Sequence, residues 1–210
     1  MKSSRAPQQE RSVQSLGRLL DAAERLMKQH DFDDISVEAI VKEAGTSVGN
    51  FYGRFVSKAA LLNALHVRYE HDRTKAWRAL LENLTIGSVT LRYRIQALVR
   101  FAIRNYRERA GVFRTLVIRQ WRDPRQLSAR NRILLAGLYD DACALLLKNR
   151  SEIRHPNPDR AVRIGFAAIV AACRETIVMR PKSLPASLVV TDEELADELS
   201  RMLHAYLCNS

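Results

Sequence analysis

Apolar residues recur along this chain at helical intervals almost throughout. Leu16, Leu19, Leu20, Ala23, Leu26 and Met27 fall at i, i+3, i+4, i+7, i+10 and i+11, one face of an amphipathic helix over roughly residues 12–29. Asp31 to Ile35 interrupts it. Ser36 is an N-cap candidate for a short helix from Val37 to Ala44, with Glu38 in the first turn where the helix dipole favours an anion, and Gly45 ends it. Thr46 or Ser47 caps a second short helix through about Phe55. Ser57 then caps a long one carrying Leu61, Leu62, Leu65, Val67 and Trp77 toward Leu84. Further helices are predicted from Ser88 to Arg107, Phe113 to Trp121 and Leu127 to Leu147. Asn157-Pro158 is a strong start signal, because Asn caps and Pro at the first helical position needs no N–H; that helix runs to about Val178. Pro181 and Pro185 break the chain, and Thr191-Asp192-Glu193-Glu194 forms a capping box for a last helix to Leu207. No run alternates in the manner of a strand, so the pattern predicts an all-α chain of about nine helices.

Composition narrows the class. With 47% apolar residues in 210, the chain buries a substantial core and is not a disordered basic tail. Cys143, Cys173 and Cys208 match no disulfide framework or zinc-ligand spacing, and His30, His66, His71, His155 and His204 are scattered without a catalytic motif. No metal, cofactor or enzymatic activity is expected. The first ten residues are polar, and the longest apolar run, Ile164 to Cys173, is too short to span a bilayer, so a soluble cytoplasmic protein is expected. A net charge of +11 suggests a polyanionic partner, nucleic acid first and an anionic membrane second.

The informative segment is Ser36 to Phe55: two short helices joined at a Gly-containing turn, with a third ahead of them offering an apolar face. That is a helix-turn-helix arrangement. The wording from Leu19 to Leu62, LLDAAERLMKQHDFDDISVEAIVKEAGTSVGNFYGRFVSKAALL, resembles the DNA-binding domain of the TetR family of transcriptional repressors. The carrying residues are Ala22-Ala23 with Leu26, Phe32, Ser36-Val37, Ile40, Ala44-Gly45, Val48, Tyr52, Phe55, Lys58 and Leu61-Leu62. The resemblance implies a homodimer, with a helix-turn-helix reader over residues 1–57 and a ligand-binding and dimerisation domain over 58–210. It places base-reading positions on Val48, Gly49 and Asn50, with Thr46 and Ser47 at the helix start, and phosphate contacts on Tyr52, Arg54 and Lys58. The chemistry suits these roles, since Asn pairs with adenine N6 and N7 and Val packs on a thymine methyl. Phe51 and Phe55 read as core. Gly49 and Gly53 lie at i and i+4, where they weaken the helix but permit close backbone approach to DNA. Asp31 occupies a site where the family usually has Gly, which Asp tolerates in a left-handed conformation. Arg5 and Arg11 are either a minor-groove arm or a basic tail.

In the C-terminal part the resemblance predicts an effector pocket but not its ligand. Lining candidates are Phe101, Tyr106, Phe113, Trp121 and Phe166, within a wider set that includes Trp77 and Tyr93. Residues 92–132 hold twelve arginines against Glu108 and Asp123, a local +10, whereas residues 1–60 sum to +1. The ordinary reading of such a stripe is a solvated face. A sharper one is that one or two arginines, Arg104 and Arg119 among them, reach an anionic effector through bidentate hydrogen bonds. Dimerisation is expected through the last two long helices, the first offering Gly165, Ala168 and Ala172, the second Leu195, Leu199, Met202 and Tyr206. The expected function is a regulator, by default a repressor, released from a pseudo-palindromic operator by a small molecule. The alternative is a basic helical protein that binds RNA or an anionic membrane surface without duplex recognition.

Overall fold

The computed structural model describes residues 5–123, 129–179 and 190–209, and among them every regular element is helical. Nine α-helices follow in order: α1 (Arg5–Leu26), α2 (Val37–Glu43), α3 (Val48–Tyr52), α4 (Lys58–Thr85), α5 (Leu91–Glu108), α6 (Ala110–Arg122), α7 (Ala129–Leu147), α8 (Pro158–Cys173) and α9 (Asp192–Cys208). Single 3-10 turns occupy Phe32–Asp34 and Arg150–Glu152, and a π-turn, Arg174–Met179, follows α8 directly. The starts expected at Ser36, Ser47, Ser57, Asn157 and Thr191 hold, whereas α5 starts after Thr90, whose Oγ1 accepts from Tyr93 N–H at 3.3 Å, rather than at Ser88, and α6 starts at Ala110 rather than Phe113. Ser36 Oγ accepts from Ala39 N–H, Ser47 Oγ from Asn50 N–H and Ser57 Oγ from Ala60 N–H, at 3.1, 3.2 and 3.2 Å. Asn157 Oδ1 accepts from Arg160 N–H at 3.1 Å, and Thr191 with Glu194 closes a reciprocal capping box. Helix α1 begins at Arg5, earlier than periodicity suggests. The predicted start of α7 at Leu127 and the breaks at Pro181 and Pro185 lie outside the described residues.

The chain forms two compact units. One gathers the chain through Asp72 and adds Arg109–Val117; the other holds Arg73–Glu108 and the chain from Ile118 onward. In the first unit the apolar face of α1 (Leu19, Leu20, Ala22, Ala23, Met27) packs with Phe32, Ile40, Val41, Phe51, Phe55, Leu61, Leu62, Leu65 and Val112. Phe51 and Phe55 are core, as expected. Gly45 has φ +62°, and Thr46 N–H bonds Val41 C=O at 2.9 Å, a Schellman ending that turns α2 into α3. Asp31 departs from expectation: its φ is −71°, so extended backbone rather than a left-handed residue leads into the 3-10 turn.

In the second unit α5 packs against α7, α8, α9 and the π-turn, and α8 against α7 and α9. Its core includes Leu91, Ile95, Leu98, Val99, Leu146, Val162, Cys173, Leu199, Leu203 and Leu207. Glu152 carboxylate oxygens accept from Leu91 N–H at 3.2 Å, an anion at the α5 N-terminus where orphan donors want one. No described helix is long and apolar enough to cross a membrane.

Candidate nucleic-acid interface and effector region

Helix α3 is short, and its outward face is bare. Val48 is 38% and Tyr52 56% exposed, and Gly49 and Gly53 are exposed beside them. Ser47 is committed to capping through its Oγ. Asn50 is committed as well. Its Nδ2 donates to Thr46 Oγ1 at 2.6 Å and to Ser15 Oγ on α1 at 2.7 Å, which uses both N–H donors of the amide. The bidentate adenine pairing expected of Asn50 needs both ends of the amide, and here its nitrogen is engaged in holding α3 against α1.

Lys58 is engaged within the protein too. Its ammonium has three N–H donors, and they go to the carbonyls of Phe32, Asp33 and Ile35, each at 2.9 Å, while the charge lies 5.0 Å from the Phe32 ring centre. A lysine at the start of α4 thus gathers the carbonyl end of the 3-10 turn, and a phosphate contact would have to break that clamp. Arg54 is half-buried and engaged within the protein. The side chains of Arg5 and Arg11 lie outside those described. What the reader offers outward is therefore the Thr46–Ser47 start of α3, Val48, Gly49, Tyr52 and Gly53.

Charged pairs brace this reader. Arg25 Nε donates to Glu43 at 2.6 Å, joining α1 to α2. Arg68 on α4 reaches Asp21 and Glu24 on α1 at 2.6 and 2.9 Å; Arg109 reaches the same Glu24 and also Asp72, the latter at 2.9 Å. Glu24 thus carries two guanidiniums.

The arginine-rich stretch mostly finds partners or solvent. Arg94 is buried on Asn149 and the Leu84 carbonyl, Arg100 pairs with Asp197, Arg107 with Asp192 and Arg114 with Asp31. Arg92, Arg104 and Arg122 are exposed, and Arg119 is half-buried. Arg125 and the Arg130 side chain lie outside the described part. Of the pocket candidates, Phe101 and Phe166 are buried and Tyr106 is half-buried, with Trp77 on Phe101 at 5.2 Å and Tyr139 on Phe166 at 5.5 Å. Three others do not join them: Arg104 faces solvent, Trp121 is 64% exposed, and Phe113 stacks edge-on to Tyr69 in the first unit at 4.6 Å.

On the expected dimer face, Gly165 and Leu199 are taken up by the chain's own packing. Gly165 is closed over by Leu203 and Tyr206, and Leu199 is buried. Leu195 and Ala172 are half-buried; Ala168, Met202 and Tyr206 are exposed, and so is Ile164, which sequence reasoning did not single out. Burial pushes the Cys173 thiol up to about 12 and raises that of Cys143, so both are inert packing thiols. Among the described residues no three of His, Cys, Asp and Glu gather as a metal site.

Residues 19–65 match the family of bacterial regulatory proteins of the tetR family. No curated protein matches the chain. Among solved structures, the fatty acid degradation regulator FadR from Bacillus halodurans aligns with a TM-score of 0.65 at 16% identity, covering 90% of this chain and 94% of that one. A TetR/AcrR-family transcriptional regulator from Thermobifida fusca aligns with 0.62 at 17% identity, over 90% and 96% of the two chains. A tetR-family regulatory protein from Rhodococcus RHA1 gives 0.61 at 13% identity, over 93% and 98%. The likeness is one of fold over nearly the whole length.

Proposed function

We propose that this chain, whose reader is a tetR-family domain set in the fold of TetR-family regulators, acts as a homodimeric repressor that leaves a pseudo-palindromic operator when a small molecule binds its second unit. The family match over residues 19–65, on a domain that leaves the outer face of α3 uncovered, carries the DNA part of this reading. Readout is by close approach: Gly49 and Gly53 let the major-groove edge come near the helix backbone, Val48 packs on a thymine methyl, and Tyr52 contacts phosphate or sugar. Thr46 and Ser47 frame the contact, Asn50 sets the seating of α3, and Arg54 adds positive charge beside it.

Two readers of a dimer reach successive major grooves about 34 Å apart. An effector that prefers a dimer with a different spacing weakens operator binding by the ratio of its affinities for the two states. Helix α4, which runs from the reader into the second unit, is the element that carries the change. Dimer contacts fall to the exposed side of α8 and α9, where Ile164, Ala168, Met202 and Tyr206 lie.

Selection of bound duplexes from a random pool tests the reading. One pseudo-palindromic site preferred over bulk DNA by about 10³-fold or more at physiological salt is the expected result. Enrichment of no duplex, with retention of RNA or of anionic vesicles, would overturn it.

A further inference from the structure

Helices α5 and α9 pack side by side, and along the exposed seam between them arginines of α5 pair with acids of α9. Arg107 holds Asp192, and Arg100 holds Asp197 at 3.5 Å, so the helices run antiparallel and each step toward the α5 N-terminus is a step along α9. The next step has no acid. There α5 presents Gln96 and Arg92, α9 presents Ser200 and Arg201, and with Asp197 they line a groove of about 220 Å³. Three of these side chains are unanswered: the exposed Arg92 guanidinium, the Gln96 amide and the Ser200 hydroxyl have no partner among the described residues. Ser200 is the sharper case. It is only 5% exposed, and a hydroxyl on a helix can bond the carbonyl four residues back, as Thr85 does with Leu81 at 2.6 Å, yet this one does not. Arg201 is engaged with exposed Glu198 at 2.9 Å, three residues back on its own helix, and Asp197 by the long contact with Arg100. Pairs this exposed are worth little and release readily.

We propose that this groove binds a phosphate monoester of a small polar molecule, the anion that continues the row of charge pairs between α5 and α9. Arg92 and Arg201 meet the phosphate from the two walls, the Ser200 hydroxyl and the Gln96 amide donate to it, and Asp197 accepts from a hydroxyl of the ester. Donors set on two helices do not share a plane, which suits a tetrahedral oxyanion better than a flat carboxylate. A lining without an apolar side chain, and a volume below the roughly 300 Å³ at which sites for drug-sized ligands begin, keep the ligand small and polar. Asp197 and Arg201 are one turn apart on one flank of α9, Met202 and Tyr206 one turn apart on the other, so pairing of two chains through the latter leaves the groove open. The site goes beyond the regulator reading and does not depend on an operator.

The probes are sn-glycerol 3-phosphate and glycerol, titrated into the full chain at fixed ionic strength and followed by calorimetry. The ester should saturate one site per chain, and glycerol should not bind. Arg92→Gln should weaken the ester by about 10-fold and Ser200→Ala by about 3-fold, the losses of a charge-assisted and of a neutral hydrogen bond. Arg104→Gln removes an exposed arginine of the same helix that lies outside the groove, and it should leave the affinity within about 2-fold. Without probe all three variants should melt within about 2 °C of the parent, since none of the three side chains has a bond to lose among the described residues. No saturable binding of the ester, or glycerol binding as well as the ester does, would overturn the assignment. So would an unchanged affinity in Arg92→Gln or Ser200→Ala, or a loss in Arg104→Gln as large as in Arg92→Gln, which would mark a diffuse attraction to the arginine-rich surface rather than a site.

Discussion

Lys58 and Asn50 hold the donors that a DNA reader of this kind would be expected to turn outward, and both turn them inward. Three carbonyls around one ammonium are charge-assisted hydrogen bonds, and removing the lysine deprives the part-buried Phe32 and Ile35 carbonyls of their donor. Lys58→Met should therefore lower stability by about 2–4 kcal/mol in denaturant titration, while the slope of operator affinity against salt stays as it was. Unchanged stability with a slope smaller by about one would return Lys58 to the phosphate backbone. Asn50→Ala follows the same logic: it should weaken good and poor sites by similar factors, since it loosens α3 rather than erasing one base contact. Base preference should instead track Val48. Replacing thymine by deoxyuridine in the selected operator removes only the C5 methyl, and at one position per half-site this should lower affinity by about 5-fold; a Val48→Ala variant should be indifferent to the change.

Helix starts were legible because a cap is a local device. Ser36, Ser47, Ser57, Asn157 and Thr191 each bond an N–H three residues ahead, and a three-residue relation can be read directly from the string. Contacts over long separations were not legible. Gly111 looks ordinary in sequence, yet a Cβ there would overlap the Met27 carbonyl, so α6 lies directly on the end of α1 in the first unit. Gly165 would collide with the Leu203 side chain. The two glycines differ in what must yield. Backbone cannot step aside as a leucine methyl can, so Gly111→Ala should cost about 3 kcal/mol or more and Gly165→Ala about 1 kcal/mol, measured as shifts in denaturant midpoint at constant slope. The π-turn was invisible for a different reason. Arg174 to Met179 continues an apolar helical pattern, and widening the turn by one residue leaves no compositional trace.

The net charge of +11 first suggested a nucleic-acid surface, but its distribution separates charge from recognition. Residues 1–60 sum to +1, and the remaining surplus is largely arginine that is exposed or paired with Asp and Glu of its own unit, as in Arg100–Asp197, Arg107–Asp192 and Arg163–Asp140. A reader this neutral, showing one valine, one tyrosine and one glycine on a five-residue α3 with Gly53 at its C-cap, has little with which to hold DNA alone. Operator affinity must then come from two readers acting together, and two half-sites on one rigid partner multiply rather than add. The proposed function therefore requires dimerisation. The apolar side chains available for it are Ile164 at 52%, Met202 at 63% and Tyr206 at 41% exposure, on adjoining helices α8 and α9 that are otherwise well packed. A charge placed there leaves the chain's own core untouched. The double change Ile164→Asp with Met202→Glu should give a folded, helical monomer in sedimentation at micromolar concentration, and operator affinity should fall by about 100-fold or more. A variant that sediments as a monomer yet binds the operator as tightly as the parent would show that one reader suffices and that the α8–α9 face serves something other than pairing.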